Sequence, residues 1–123
     1  MDTKFHYWLD ASRNTQASFI AWIVALLVWG SGIPLAFGAL GSSSDVAVGL
    51  TVVSAATTVF HFILGASTVD QYKKVTADTP EEARDTNFAQ SELKSPFGFF
   101  SVITAAATIS VFVGHLLVLG ILF

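Results

Sequence analysis

Apolar and charged positions are strongly separated along this chain. Three long stretches, residues 19–40, 46–69 and 97–123, contain no Lys, Arg, Asp or Glu. A helix rises about 1.5 Å per residue, so about 20 residues cross a hydrocarbon core of ~30 Å, and each stretch is long enough. In lipid, such a segment satisfies its own backbone N–H and C=O groups only as a helix. The pattern predicts an all-α membrane protein with three transmembrane helices, forming a single membrane domain over residues 1–123.

The segments between the spans carry weaker signals. Residues 4–16, KFHYWLDASRNTQ, mix aromatic and charged side chains, which is typical of a short amphipathic segment at the headgroup level. In the 70–96 loop, Thr79, Pro80 and Glu82 form a capping box, which predicts a short helix there. Ser95 and Pro96 predict the start of the third helix. The first span, with 22 residues, exceeds the 7–15 residue core of a secretory signal, so we expect it to be retained.

Composition and charge narrow the class and the orientation. Hydrophobic residues make up 53% of the chain and charged residues 12%, against about 25% charged in soluble domains. The chain has no cysteine, which excludes disulfides and thiolate metal sites. Its six Lys and Arg residues all fall before the first span or in the 70–96 loop. The positive-inside rule then predicts that both segments face the cytoplasm or stroma of an inner or thylakoid-type membrane. No basic block indicates nucleic acid.

Small residues recur on two of the predicted helices. They are spaced four apart, which places each set on one helix face and favours close approach of another helix. In the first span Pro34 lacks an N–H, so we expect a kink near Gly30. The candidate helix-packing residues are Ala17, Ala21 and Ala25 in the first helix and Ala106, Ser110 and Gly114 in the third.

Two histidines lie within predicted spans, and they are the candidate cofactor-binding residues. A polar side chain buried in lipid needs a partner, so the imidazoles of His61 and His115 should face protein or a cofactor. Neutral imidazole is an axial ligand for haem iron and chlorophyll magnesium, and no other metal site is expected. On antiparallel helices the two rings differ in depth by roughly 13 Å, too far to share one haem. The alternative is structural hydrogen bonding, with Thr57 one turn before His61 as the nearest acceptor.

Two short segments resemble known families. His61, Gly65, Asp70 and Tyr72 resemble the haem-b-binding helix of succinate dehydrogenase membrane anchors, although Gln71 interrupts the Asp-Tyr pair. That resemblance implies haem b at His61 and a quinone near Asp70 and Tyr72. Residues 114–120, GHLLVLG, resemble the chlorophyll-binding end of the small photosystem I subunit K, which has two spans where this chain has three.

The spans lack the residues that other membrane chemistries require. The spans contain no lysine for a retinal Schiff base and no carboxylate for a proton carrier. Ser54 and Ser110 have no histidine at one-turn spacing, so we expect no enzyme. The sequence predicts a small non-catalytic subunit of a larger photosynthetic or respiratory membrane complex, packed against other integral membrane subunits and lipid. Its expected cofactors are chlorophyll, bacteriochlorophyll or haem b, with bound lipid or carotenoid in addition. The alternatives are a cofactor-free assembly subunit and a haem-b and quinone anchor.

Overall fold

The computed structural model describes residues 3–123, which are helical for most of their length and contain no strand. The elements are α1 (Thr3–Ala39), α2 (Ser44–Ala77), a 3₁₀ turn (Glu81–Ala83), α3 (Asn87–Leu93) and α4 (Phe97–Val118). Helices α1, α2 and α4 are long and apolar enough to cross a membrane, which confirms the three predicted spanning helices. Large apolar side chains such as Ile20, Leu27 and Phe60 lie exposed on their outer surfaces, as contact with lipid requires.

Helix α1 continues without interruption from the N-terminal segment into the first span. The amphipathic residues therefore form its first turns, and their position at a membrane surface stays a prediction. A tight turn then reverses the chain: Gly41 has φ 100°, a left-handed conformation that favours glycine. The Ser43 side chain accepts a hydrogen bond from the Val46 N–H at 3.2 Å and so caps α2.

The 70–96 loop differs in detail from the sequence prediction. No α-helix begins at Thr79, because its hydroxyl donates back to the Thr76 carbonyl at 2.6 Å instead of capping the following turn. The α-helix α3 begins later, where the Thr86 side chain accepts from the Ala89 N–H at 3.1 Å. The predicted Ser95 cap is also not made, since Pro96 is the N-cap residue of α4 and provides no side-chain hydrogen bond.

The interior of the bundle follows a seven-residue repeat. Since 3.5 residues per turn keeps every seventh residue on one seam, two such repeats pack as in a left-handed coiled coil. Helix α2 contacts both α1 and α4 along its length. The buried repeat positions are Trp8, Thr15, Trp22 and Trp29 in α1 and Ala47, Ser54, His61 and Thr68 in α2.

The predicted small-residue stripes lie outside this interior. Ala17, Ala21 and Ala25 are exposed on α1, and Ala106 and Ser110 are exposed on α4. Gly114 is half-buried, and a Cβ added to it would meet no atom within 4 Å. Bulky and polar seam residues therefore hold α1, α2 and α4 together. A helix-packing role for the stripes requires a neighbour outside the described residues, and it stays a prediction.

Candidate functional site

The two membrane histidines lie in the interior, where α1, α2 and α4 meet. His115 of α4 is 2% exposed and has a partner on each of the other two helices. Its Nε2 lies 3.0 Å from the Gly30 carbonyl oxygen, and its Nδ1 lies 2.7 Å from the Ser54 Oγ. A carbonyl oxygen only accepts, so Nε2 donates to Gly30 and Nδ1 accepts from the Ser54 hydroxyl. His115 thus joins three helices through one imidazole ring.

Proline explains why the Gly30 carbonyl is available. In a regular helix this oxygen would accept from the N–H of residue 34, four positions on. Residue 34 is proline and has no N–H, so the carbonyl lacks this regular partner within α1. The His115 ring supplies the missing donor from another helix, as membrane proteins commonly do where proline interrupts a helix. The helix itself remains continuous to Ala39.

His61 is equally buried, at 4% exposed, but it is held differently. Its backbone carbonyl accepts a hydrogen bond from Trp22 Nε1 at 3.0 Å, and its ring stacks on the Trp22 indole with centroids 4.6 Å apart. Its Nε2 is buried and has no hydrogen-bond partner among the described residues. The partner considered from the sequence, Thr57, instead donates to the Val53 carbonyl at 2.8 Å. His61 therefore presents an unpaired nitrogen inside the membrane.

Glycine at position 65 makes the Trp22 contact possible. A Cβ built on Gly65 would lie 2.9 Å from Trp22 Nε1 and 3.2 Å from the next indole carbon. Real Cβ atoms do not approach this closely, so any larger residue would displace the indole. Gly65 follows His61 by one helical turn, and the Trp22 indole packs against both residues.

Trp29 connects the two histidines. Its ring centroid lies 5.7 Å from that of His61 and 5.2 Å from that of His115. His115 pairs with Ser54, so these two residues lie at about the same depth in the bundle. Ser54 precedes His61 by seven positions, or about 10 Å of helix rise, so the two histidines differ in depth by somewhat less than the ~13 Å expected. With an indole in contact with both rings, one haem shared by His61 and His115 is excluded in this arrangement.

Ser54 and His115 form a serine–histidine pair that spacing along one helix could not reveal. No histidine lies one turn from Ser54 along α2, but α4 brings the His115 ring to 2.7 Å from its hydroxyl. This is the distance of a nucleophile and its base. However, Ser54 has no exposed surface, and the far nitrogen of the ring is bonded to a backbone carbonyl. The Ser54–His115 contact is therefore a buried hydrogen bond that links α2 and α4.

Two cavities adjoin the candidate residues within the spanning region. An open groove of about 420 Å³ runs between α1 and α2, and His61 and Trp22 form part of its wall. A second cavity of about 340 Å³ is lined by apolar side chains together with Tyr72 and Gln16. No cluster of three or more potential metal-binding side chains occurs within residues 3–123. In the described part of the chain, three buried ring nitrogens have no hydrogen-bond partner: Nε1 of Trp8, Nε1 of Trp29 and Nε2 of His61. An indole nitrogen only donates, so His61 is the member of this set that can ligate a metal.

Sequence reasoning missed most of the residues that surround the histidines. Trp22, Trp29 and Ser54 contact the two rings, and none was predicted as a site residue. These residues could have been found from the seven-residue spacing that the tryptophans of α1 share with Ser54 and His61 of α2. That spacing predicts a buried seam.

Comparison of the chain with protein-family models, curated proteins and solved structures gives no match.

Proposed function

We propose that this chain is a small, non-catalytic transmembrane subunit of a larger energy-converting complex, photosynthetic or respiratory, in which it stabilises assembly. The observation that carries the proposal is the distribution of polar and small side chains. His115 and Ser54 use their hydrogen bonds to hold the chain's own helices together. The small residues Ala106 and Ser110 are left facing outward on α4, where another helix can approach closely.

The orientation belongs to the same proposal. All Lys and Arg residues flank one end of the bundle, which favours a cytoplasmic or stromal location for the N-terminal segment and the 70–96 loop. Catalysis would then reside in partner chains.

The test of assembly uses the outward stripe of α4. The full chain is expressed in its native membrane, extracted in mild detergent and analysed by native electrophoresis with quantitative mass spectrometry. We expect a complex of fixed stoichiometry with other integral membrane chains. Ser110→Leu should reduce its yield, whereas Ala56→Leu, an exposed control on α2, should not. Migration of the chain alone, with no partner at constant ratio, would refute the proposal.

A second candidate function is ligation of a tetrapyrrole by His61. Its support is the unpaired Nε2 beside the α1–α2 groove. The buried position of this atom requires the ring to turn toward the groove before a metal is bound. His115 is the weaker candidate, since both of its nitrogens are engaged. An absorption spectrum of the purified complex shows haem bands, chlorophyll bands or neither. We expect His61→Ala to remove them and Thr57→Ala to keep them; unchanged bands in His61→Ala would exclude this role.

A haem-b and quinone anchor is a variant of this second candidate function. Tyr72 lines the apolar 340 Å³ cavity together with Phe19 and Phe100, which suits an aromatic ring with an apolar tail. Asp70, by contrast, is exposed and paired with Lys74 at 2.9 Å. Quinone extracted from the purified complex, and its loss in Tyr72→Ala, would favour this variant over a cofactor-free assembly subunit.

A further inference from the structure

A groove made of two separate cavities follows the seam between α1 and α2 across the membrane boundary. Its outer part is a cavity of about 830 Å³ between the start of α1 and the end of α2. Its inner part is the 420 Å³ groove beside His61. Gln71 lines both, so the two parts adjoin. On α1 the lining residues repeat every three or four positions along one face: Ala11, Asn14, Ser18, Ala21 and Ala25.

The outer part of the groove offers hydrogen-bond donors and positive charge. Trp8 is 8% exposed, and its Nε1 is buried without a hydrogen-bond partner. The side chains of Asn14, Gln71 and Lys74 also line this part. Lys74 pairs with Asp70, but both side chains are mostly exposed, and such pairs are weak enough to exchange for another anion.

Depth and charge place a phosphate at the inner end of this cavity. Asn14 precedes the first apolar residue of the span, Phe19, by five positions, about 7 Å of helix rise, which is the headgroup layer of a bilayer. Toward the outer end the lining carries both Lys4 and Asp78, whose opposite charges offset each other. Trp8 lines the same cleft further out, and a turn of its indole toward the cleft would let the buried Nε1 donate to a polar headgroup that extends beyond the phosphate.

The inner part of the groove has the opposite character. Ala21 and Ala25 leave space on the α1 side, and Leu64 provides an apolar wall on the α2 side. This part lies in the spanning region and opens sideways from the bundle. The groove therefore has hydrogen-bond donors at headgroup depth and an open channel lined by small residues within the span. This combination matches an amphiphile with an anionic head and an apolar chain.

We propose that the α1–α2 groove binds one anionic phospholipid. Its phosphate lies among Asn14, Gln71 and Lys74, its headgroup hydroxyls reach toward Trp8, and one acyl chain lies over Ala21 and Ala25. This site does not depend on the proposed assembly function, since it requires neither a partner chain nor a pigment, but an acyl chain in it would compete with a tetrapyrrole at His61, which lines the same cavity.

The test measures lipid binding to the full-length chain in detergent by native mass spectrometry. Phosphatidylglycerol and phosphatidylcholine with the same acyl chains are titrated separately. Glycerol phosphate, which has no acyl chain, is titrated as the soluble ligand. We expect phosphatidylglycerol to bind more tightly than phosphatidylcholine, with one molecule per chain. Removal of one basic contact near a charged headgroup corresponds to about a fivefold loss, which we expect for Lys74→Gln. Lys73→Gln, an exposed neighbour outside the groove, is the matched control.

Two further variants test the remaining parts of the site. Trp8→Phe keeps the ring and removes the donor, so phosphatidylglycerol binding should fall about threefold, the effect of one hydrogen bond. Ala21→Leu should block the acyl channel and weaken both lipids, whereas Ala17→Leu, outside the groove, should weaken neither. Equal affinity for the two lipids, or equal losses in the variants and their controls, would overturn the proposal. Tight binding of glycerol phosphate alone would also overturn it, because the site would then serve a soluble phosphate ester.

Discussion

The bond from His115 to the Gly30 carbonyl provides the sharpest test of how this bundle is held together. His115→Phe keeps an aromatic ring beside Trp29 and removes both ring nitrogens. The Ser54 hydroxyl can then turn to a carbonyl one turn back in its own helix, as Thr58 already does at 2.7 Å. The Gly30 carbonyl has no such alternative, because Pro34 lacks the N–H that would normally bond to it.

The expected loss follows from that asymmetry. A buried acceptor left without a partner costs about 1–3 kcal/mol. Direct measurements of single side-chain bonds between membrane helices average about 0.6 kcal/mol. We therefore expect His115→Phe to lower the free energy of unfolding by about 2 kcal/mol, between these bounds. In a Pro34→Ala background the backbone N–H returns, and the same substitution should cost about 1 kcal/mol less.

The measurement is a double-mutant cycle on the full-length chain. Unfolding in mixed micelles with increasing denaturing detergent is followed by tryptophan fluorescence, since Trp8, Trp22 and Trp29 are all buried. Ser110→Ala, on the exposed face of α4, controls for loss of a hydroxyl with no interhelical partner. If His115→Phe costs the same with Pro34 and with Ala at that position, the two sites are uncoupled and the role assigned to the Gly30 carbonyl is wrong.

Two further predictions address other parts of the structure. Gly65→Ala should destabilise the bundle by about 1–3 kcal/mol, because the new Cβ displaces Trp22 from its bond to the His61 carbonyl. Gly49→Ala, where a Cβ meets no atom within 4 Å, should be neutral or stabilising by about 0.5–1 kcal/mol in the same fluorescence assay; equal effects would contradict the packing argument. In the loop, burial raises the pKa of Glu92 above the usual value of 4.5 for a glutamate, so the folded chain holds this proton more tightly than the unfolded chain. Its contribution to stability is then present below that value and is lost as pH rises through the folded pKa, so Glu92→Gln should be more stable than the natural chain at pH 7 and equal at pH 3. Melting temperatures across this range, with Glu82→Gln as the exposed control, test the sign, and a benefit confined to low pH would refute it.

Some of this architecture could be predicted from the sequence alone. Three uncharged stretches longer than the hydrocarbon core require three helices, because lipid offers no partner for a free backbone group. The same reasoning required partners for the two imidazoles: His115 has two, whereas the Nε2 of His61 has none among the described residues. The kink expected near Gly30 stays a prediction, since α1 is assigned as one continuous helix to Ala39.

Only the tertiary structure decided which groups meet. The pairing of Ser54 and His115, and of His115 with Gly30, depends on the rotation and axial register of α4 against its neighbours. A periodic pattern within one helix carries no information on that register. Tryptophans occupy the interior side of α1, because their buried area and ring contacts exceed what alanine provides, while the alanine stripe faces outward and its packing against another helix stays a prediction. Length and hydropathy are properties of each segment alone, whereas a site arises from contacts between segments.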